Sequence, residues 1–256
     1  MATPDIRLDE IKDGVYRIST FVAFPADSPI ALHPDLPEPP KTFIEDSPFG
    51  LTFNQFLIVD ESPTLIHTGM AELFEGVTGK IREVLDPKRL KFIVISHFEA
   101  DECGALHRFL EIGNGLQPVA TPATELNIVG FGYKCKPYVV KHGDRLVLGS
   151  KALRFLGFPS NVHLWDGLVA YEETNSILFS GDLCMRWGEA PEPIVGADID
   201  QEILNIKKDW FNIPDENKRS RPFQAVRKLK IDLIAPMHGP ALERSKAAKK
   251  RLHLVG

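Results

Sequence analysis

The amino-acid sequence predicts an α/β fold of four layers, an αββα sandwich in which two β-sheets pack on each other between outer helices. Three observations predict it. Short apolar strand segments fall into two groups along the chain, and each group is accompanied by segments with an apolar helical face. A sheet flanked in this way buries one face on a partner sheet and the other beneath helices, although periodicity alone does not separate this sandwich from other α/β arrangements. Histidines and carboxylates also follow several of the apolar strands, where a rigid strand end aims side chains at a common point.

The first strand is read from Gly14 to Thr20, whose alternation has the period of two that a half-buried strand requires. A hairpin follows, from Asn54 to Asp60 and from Thr64 to His67, turning over Glu61-Ser62-Pro63. Between these, residues 24–48 carry seven prolines and no periodic apolar pattern, so they read as a long surface loop. That loop is either a cover over part of the molecule or a solvated excursion without a role. Leu73, Phe74, Val77, Ile81, Val84 and Leu85 fall on one helical face. Asp86-Pro87 ends that helix, because a residue before proline is driven out of the helical region. Lys91–Ser96 is a buried strand, and Leu106, Phe109 and Leu110 give the next helix its apolar side.

Further strands are read at Gln117–Thr121, Tyr138–Val140, Arg145–Leu148, Ala152–Gly157, Gly167–Glu172 and Ser176–Ser180. Thr121 before Pro122 marks a helix start, a hydroxyl cap followed by a residue whose missing N–H is not needed there. Ile199, Ile203, Ile206 and Trp210 mark another helix, and Phe223, Val226 and Leu229 a further one. Ile231–Ala235 is a last strand before Met237-His238-Gly239-Pro240. No internal repeat is seen, and residues 1–256 are expected to form one domain.

Hydrophobic content of 43% and charged content of 25% are globular values, and no apolar run is long enough to cross a bilayer. The N-terminal residues lack the basic start and apolar stretch of a secretory signal, so a cytoplasmic protein is expected. Cys103, Cys135 and Cys184 are odd in number and lack C-x-x-C spacing, which disfavours disulfides and a thiolate zinc site. The net charge is −5, from 30 basic and 35 acidic side chains, with no basic stripe to attract nucleic acid. Lys246, Lys249, Lys250 and Arg251 read as a solvated face of a terminal helix.

The chemistry concentrates in Ile93-Val-Ile-Ser-His-Phe-Glu-Ala-Asp101, which puts His97, Glu99 and Asp101 just past an apolar strand. Imidazole and carboxylate are ligands of first-row transition metals. Further candidates each border their own apolar segment: His163 in Phe158-Pro-Ser-Asn-Val-His-Leu-Trp-Asp166, Asp182 after Ile177-Leu-Phe-Ser-Gly181, and His238. Any one of these alone is more often a turn residue; together they describe a site. His33, His107, His142 and His253 are read as surface or structural residues, and Trp165 and Trp187 as candidate walls of a pocket. No phosphate loop or G-x-G-x-x-G fingerprint opens a helix.

From Gly14-Val-Tyr16 to His238-Gly239 these landmarks, with Asn54-Gln-Phe-Leu-Ile-Val-Asp-Glu61 and Leu65-Ile-His-Thr-Gly69, resemble the metallo-β-lactamase superfamily. Within it, the chain resembles the diiron domain of flavodiiron proteins and stand-alone oxygen-binding diiron proteins. Glu99 carries that narrower likeness, since hydrolytic members place a second histidine there. The resemblance implies one iron held by His97, Glu99 and His163, another by Asp101 and His238, and Asp182 bridging the two. Such an oxygen-rich set favours iron or manganese over zinc without excluding zinc. The chain departs from the family pattern twice. Glu102 stands where a histidine is usual, so it is a ligand of the second metal, the holder of a water ligand, or a solvent-facing residue. His67 replaces a usual aspartate, and its expected role is an outer hydrogen bond rather than direct ligation.

The resemblance further implies a centre of two iron ions that binds dioxygen or nitric oxide; reduction as well as binding is left open. Flavodiiron proteins carry a flavodoxin-like domain after the diiron domain. This sequence ends soon after His238, so no flavin is expected in it and electrons are expected from a separate donor protein. Family members are often head-to-tail dimers, which makes a homodimer the expected assembly. Two other readings stand beside this one. A dinuclear metallohydrolase would lower the pKa of a bridging water and deliver hydroxide to an ester, thioester or lactone. A metal-binding domain in regulatory contact with a partner is the third.

Overall fold

The computed structural model describes residues 5–25, 41–45, 47–158, 167–206 and 223–245. Seven strands form the first sheet in sequence order: β1 (Ile6–Lys12), β2 (Val15–Ala23), β3 (Gly50–Ile58), β4 (Thr64–Ile66), β5 (Phe92–Val94), β6 (Gln117–Ala120) and β7 (Tyr138–Val139). The first four pair antiparallel; β4 through β7 pair parallel. The second sheet has β8 (Arg145–Val147), β9 (Ala152–Gly157), β10 (Leu168–Glu172), β11 (Ile177–Gly181), β12 (Ile194–Ala197), β13 (Leu233–Pro236) and β14 (Ala241–Arg244). Its spatial order is β12-β14-β13-β11-β10-β9-β8, with β11 and β13 side by side and parallel.

Helices α1 (Phe74–Arg82), α2 (Ala100–Cys103), α3 (Leu106–Ile112), α4 (Pro122–Gly130) and α5 (Ile199–Ile206) follow, and residues 223–227 are also helical. Three apolar clusters separate the four layers. Val15, Phe56, Ile66, Val94, Phe155, Phe179 and Leu233 fill the space between the sheets. Leu57, Leu65 and Ile93 meet Val77, Ile81, Leu106 and Phe109 on the outside of the first sheet. Leu178 and Ile234 meet Ile199, Ile203 and Val226 outside the second. Alternation along each strand sends neighbouring side chains to opposite clusters, and the αββα sandwich follows from that division.

Local signals explain the boundaries. Thr121 Oγ1 accepts the Thr124 N–H at 3.2 Å and Pro122 opens α4. The carboxylate of Asp86 caps the short turn Pro87–Arg89, which stops the α1 segment. Strands β1, β12 and β14 escaped the sequence reading. All lie at or near a sheet edge, where half-exposed residues weaken the apolar alternation. The strand read at Lys91–Ser96 is shorter than expected, Phe92–Val94, because residues beyond it turn into the site. Of the proline-rich stretch, residues 26–40 and Asp46 lie outside the described residues, as do His33, Trp165, Trp210, His253 and the basic cluster at 246–251. No helix among the described residues is long and apolar enough to cross a membrane.

Candidate metal centre

The site gathers at the carboxyl ends of β4, β5, β11 and β13, the end at which parallel strands of both sheets open side by side. His97 lies in the turn after β5, and the preceding Ser96 carbonyl accepts the Leu168 N–H at 2.8 Å, tying the two sheets together there. Glu99 is the extended residue before α2, while Asp101 and Glu102 occupy that helix's first turn. Thr68 anchors this short helix. Its N–H donates to the Glu102 carbonyl at 2.7 Å, and its hydroxyl accepts the Ala105 N–H at 3.2 Å. Gly69 next to it has φ +79°, and a Cβ there would sit 3.1 Å from Gln55 Nε2, so the turn requires glycine.

Asp182 follows β11 and His238 follows β13. The two strand ends are joined by the Met237 N–H donating to the Gly181 carbonyl at 2.7 Å. A buried clamp holds the turn bearing His238. Asn54 Nδ2 donates to the carbonyls of Pro236 at 2.9 Å and Gly239 at 2.7 Å, and Asn54 Oδ1 accepts from Arg17 Nε at 2.8 Å. Arg17 Nη2 donates to Gly239 as well, at 3.2 Å. Burial lowers the Arg17 pKa to about 10, against the pull of Asp9, so the guanidinium stays charged at neutral pH. Phe53 meets the His238 ring edge to face at 5.1 Å.

These elements bring five of the six expected ligand residues together. His97 Nε2 lies 3.7 Å from Glu99 Oε1 and 3.7 Å from Asp182 Oδ2. His238 Nε2 lies 3.3 Å from Asp101 Oδ2 and 3.5 Å from Asp182 Oδ1. Asp182 therefore turns one oxygen toward each imidazole, the disposition a bridging carboxylate needs. His163, the sixth, lies outside the described residues.

The two departures from the family pattern resolve differently. Glu102 is fully buried, which overturns a solvent-facing role, and its Oε2 lies 3.6 Å from His97 Nε2 rather than beside His238. Apart from the neighbouring Asp101 carboxyl, neither Glu102 oxygen has a hydrogen-bond partner among the described residues. Burial, then the charges of Asp182 and Asp101, drive its pKa well up. A buried carboxyl without a donor is costly, and a cation placed among these groups removes that cost, so the residues fit a metal. Burial alone would raise Asp101 too, yet the hydrogen bond and charge of His238 hold it at about 2. His67 is buried and does not reach the carboxylates. Its Nε2 bonds Ser96 Oγ at 2.9 Å, and Ser96 Oγ in turn bonds His97 Nδ1 at 2.9 Å.

Sequence reading missed Ser96, Met237 and Arg17. Ser96 was visible only as the last residue of a strand, and Arg17 as a polar residue in an alternating one. Trp187 stacks on Phe49 at 5.3 Å and packs on the cluster of Leu51, Phe53 and Met237 beneath His238. A pocket of about 30 Å³ lies beside His97 and Asp182, lined chiefly by Phe158, Leu168, Val169 and Leu183. His107 belongs elsewhere, in an open cleft with Phe131 and Tyr133.

The fold and its relatives define a metallo-β-lactamase-like domain of the flavodiiron kind. Residues 51–239 match the family described as ODP family beta lactamase, and the chain belongs to that family. It is 31% identical over 199 residues to an uncharacterized protein of Methanocaldococcus jannaschii, covering 75% of this chain and 50% of that one. It is 34% identical over 143 residues to the rubredoxin-oxygen oxidoreductase of Megalodesulfovibrio gigas, covering 54% of this chain and 34% of that one. With the nitric oxide reductase of Moorella thermoacetica the identity is 26%, over 74% of this chain and 49% of the relative. The chain thus spans about half the length, or less, of these curated relatives. Among solved structures, rubredoxin oxygen:oxidoreductase from Desulfovibrio gigas superposes with a TM-score of 0.71 at 24% identity, over 96% of this chain and 59% of that one. A fragment of putative diflavin flavoprotein A 5 from Nostoc sp. superposes at 0.74 with 16% identity, over 98% and 95%. These structures share the fold.

Proposed function

We propose that residues 1–256 act as one domain that would hold two iron ions and bind dioxygen or nitric oxide, with electrons supplied by a separate donor protein. The observation that carries this reading is Asp182, divided between His97 and His238 with Glu99, Asp101 and Glu102 around it. One ion would take His97, Glu99, one oxygen of Asp182 and His163; the other would take Asp101, His238 and the second oxygen of Asp182. Glu102 is assigned to the His97 side. Bound iron would supply redox equivalents and open coordination positions. The protein's own part is to fix the imidazoles, offset the cations' charge with carboxylates and keep the site narrow.

The small apolar pocket favours a diatomic ligand. A volume near 30 Å³ suits one molecule of about water's size, far below the roughly 300 Å³ at which small-molecule pockets begin. The relatives named for oxygen and nitric oxide reduction support the same substrate class, and a rubredoxin-like electron carrier is the donor class inferred from one of those names. A cytoplasmic homodimer completes the proposal, and sedimentation tests the assembly. Anaerobic reconstitution with ferrous iron, followed by optical and Mössbauer spectra before and after dioxygen or nitric oxide, tests the centre. A spectral change stoichiometric with bound iron is expected. A zinc pair in protein grown with ample iron, together with turnover of an ester or lactone, would replace this reading by the hydrolytic one.

A further inference from the structure

We infer that Met237, His67 and Ser96 form a one-way hydrogen-bond chain that fixes the proton of His97 on Nδ1 and so turns its Nε2 lone pair toward the carboxylate cluster. The inference deepens the proposed metal site and rests on it for its purpose, though not for its test. His67 is a departure from the family's usual aspartate, and the chain gives it a defined task as a positioning residue.

The direction follows from donor chemistry. His67 Nδ1 lies 3.1 Å from Met237 Sδ, and a thioether sulfur can only accept. His67 Nδ1 therefore carries a proton. With the ring neutral, Nε2 is the acceptor, and its partner at 2.9 Å is the single proton of the Ser96 hydroxyl. That spends the Ser96 donor. The contact of 2.9 Å between Ser96 Oγ and His97 Nδ1 must then be donated by His97. In the neutral ring, which is the form that binds a metal, one proton on Nδ1 leaves Nε2 with its lone pair, facing Glu99, Glu102 and Asp182. His67 is buried with no carboxylate hydrogen-bonded to it, and burial takes its pKa down to about 3, consistent with a neutral ring.

The backbone is shaped around this chain. His67 has φ +64°, a conformation uncommon for a residue with a Cβ, and it is held there by its N–H on the Val94 carbonyl at 2.9 Å. Gly181 has φ +57°, and a Cβ at that position would stand 3.2 Å from Ser96 Oγ. Strand β11 thus ends in a glycine where the hydroxyl needs room. His238 has no such arrangement: its Nδ1 finds no partner among the described residues.

The test is long-range proton–nitrogen NMR of the imidazoles in metal-free protein labelled with nitrogen-15. His67 and His97 are both expected as the Nδ1–H form. Ser96→Ala should leave His97 distributed over both tautomers and weaken ferrous-iron binding about 10- to 100-fold, with Ser96→Thr restoring both. Met237→Leu removes the acceptor at nearly constant volume. It should let the chain reverse, moving His97 toward the Nε2–H form. Native protein with the His97 proton on Nε2, or a Ser96→Ala or Met237→Leu protein with unchanged His97 tautomers, overturns the inference. If the tautomers behave as stated but no form takes up metal, the chain stands and the metal-site reading falls instead.

Discussion

Glu102 Oε2 lies 3.6 Å from Nε2 of His97, in a position closed to solvent and crowded by three other carboxylates. In metal-free protein this is an unfavourable arrangement; with a cation present it is an attractive one. Glu102→Gln keeps the shape and removes the charge. The metal-free variant is expected to be more stable than native protein by about 1 kcal/mol or more, while ferrous-iron affinity falls. Urea unfolding of metal-free protein and iron titration measure the two effects. Opposite signs identify a residue kept for metal; loss of both stability and affinity would mark Glu102 as structural.

Asp182 faces both imidazoles, so its removal should disturb both halves of the site together. Asp182→Ala is expected to weaken metal binding more than about 100-fold, exceeding the loss from an outer hydrogen-bond partner. Element analysis of purified protein checks it. Native metal content in this variant would mean that the bridge is misassigned.

Glu99 distinguishes the proposed ligand set from a histidine-rich one. Glu99→His should shift selectivity toward zinc, with the zinc-to-iron occupancy ratio rising by about tenfold or more under competition. Fold stability should change little, because the Glu99 side chain is 41% exposed and lies before the short helix α2 rather than in the core. An unchanged ratio would show that selectivity resides elsewhere in the site.

The layers and most of the residues gathered in the candidate site were legible because both rest on local patterns. Strand β9 was read with its observed ends, and Thr121-Pro122 placed the start of α4, since alternation and capping are encoded within a few residues. The edge strand β12 and its neighbour β14 were not, because their pairing is decided by tertiary neighbours. In the site, His97, Glu99 and Asp101 stood out as metal-ligand types beyond an apolar run. Ser96 and Met237 did not, since an ordinary serine and methionine acquire meaning only where β4, β5 and β13 end together. Arg17 is the clearest case. Its hydrogen bonds to Asn54 and Gly239 join residues 37 and 222 positions away, and nothing near Arg17 in sequence announces them.

His67 also gives metal-free protein a specific pH dependence. Its imidazole is fully buried, and burial, opposed by the charge of Asp101 and aided to a lesser extent by His238, puts its pKa at about 3 against an ordinary 6.5. Between those values the unfolded chain carries a proton on this residue that the folded protein refuses. Stability is therefore complete above about pH 6.5 and declines as the pH falls toward about 3, below which the effect is flat. From about pH 7 to about pH 5 the expected loss from His67 alone is about 2 kcal/mol. Glu102 works in the opposite sense, because its raised pKa favours proton uptake by the folded state. The measurement is accordingly a difference: urea midpoints of native and His67→Asn protein, both free of metal, across that range. The native protein should lose about 2 kcal/mol more than the variant as the solution is acidified. Parallel curves would mean that His67 takes up its proton without unfolding, and that the interior around Ser96 and Met237 accommodates an imidazolium.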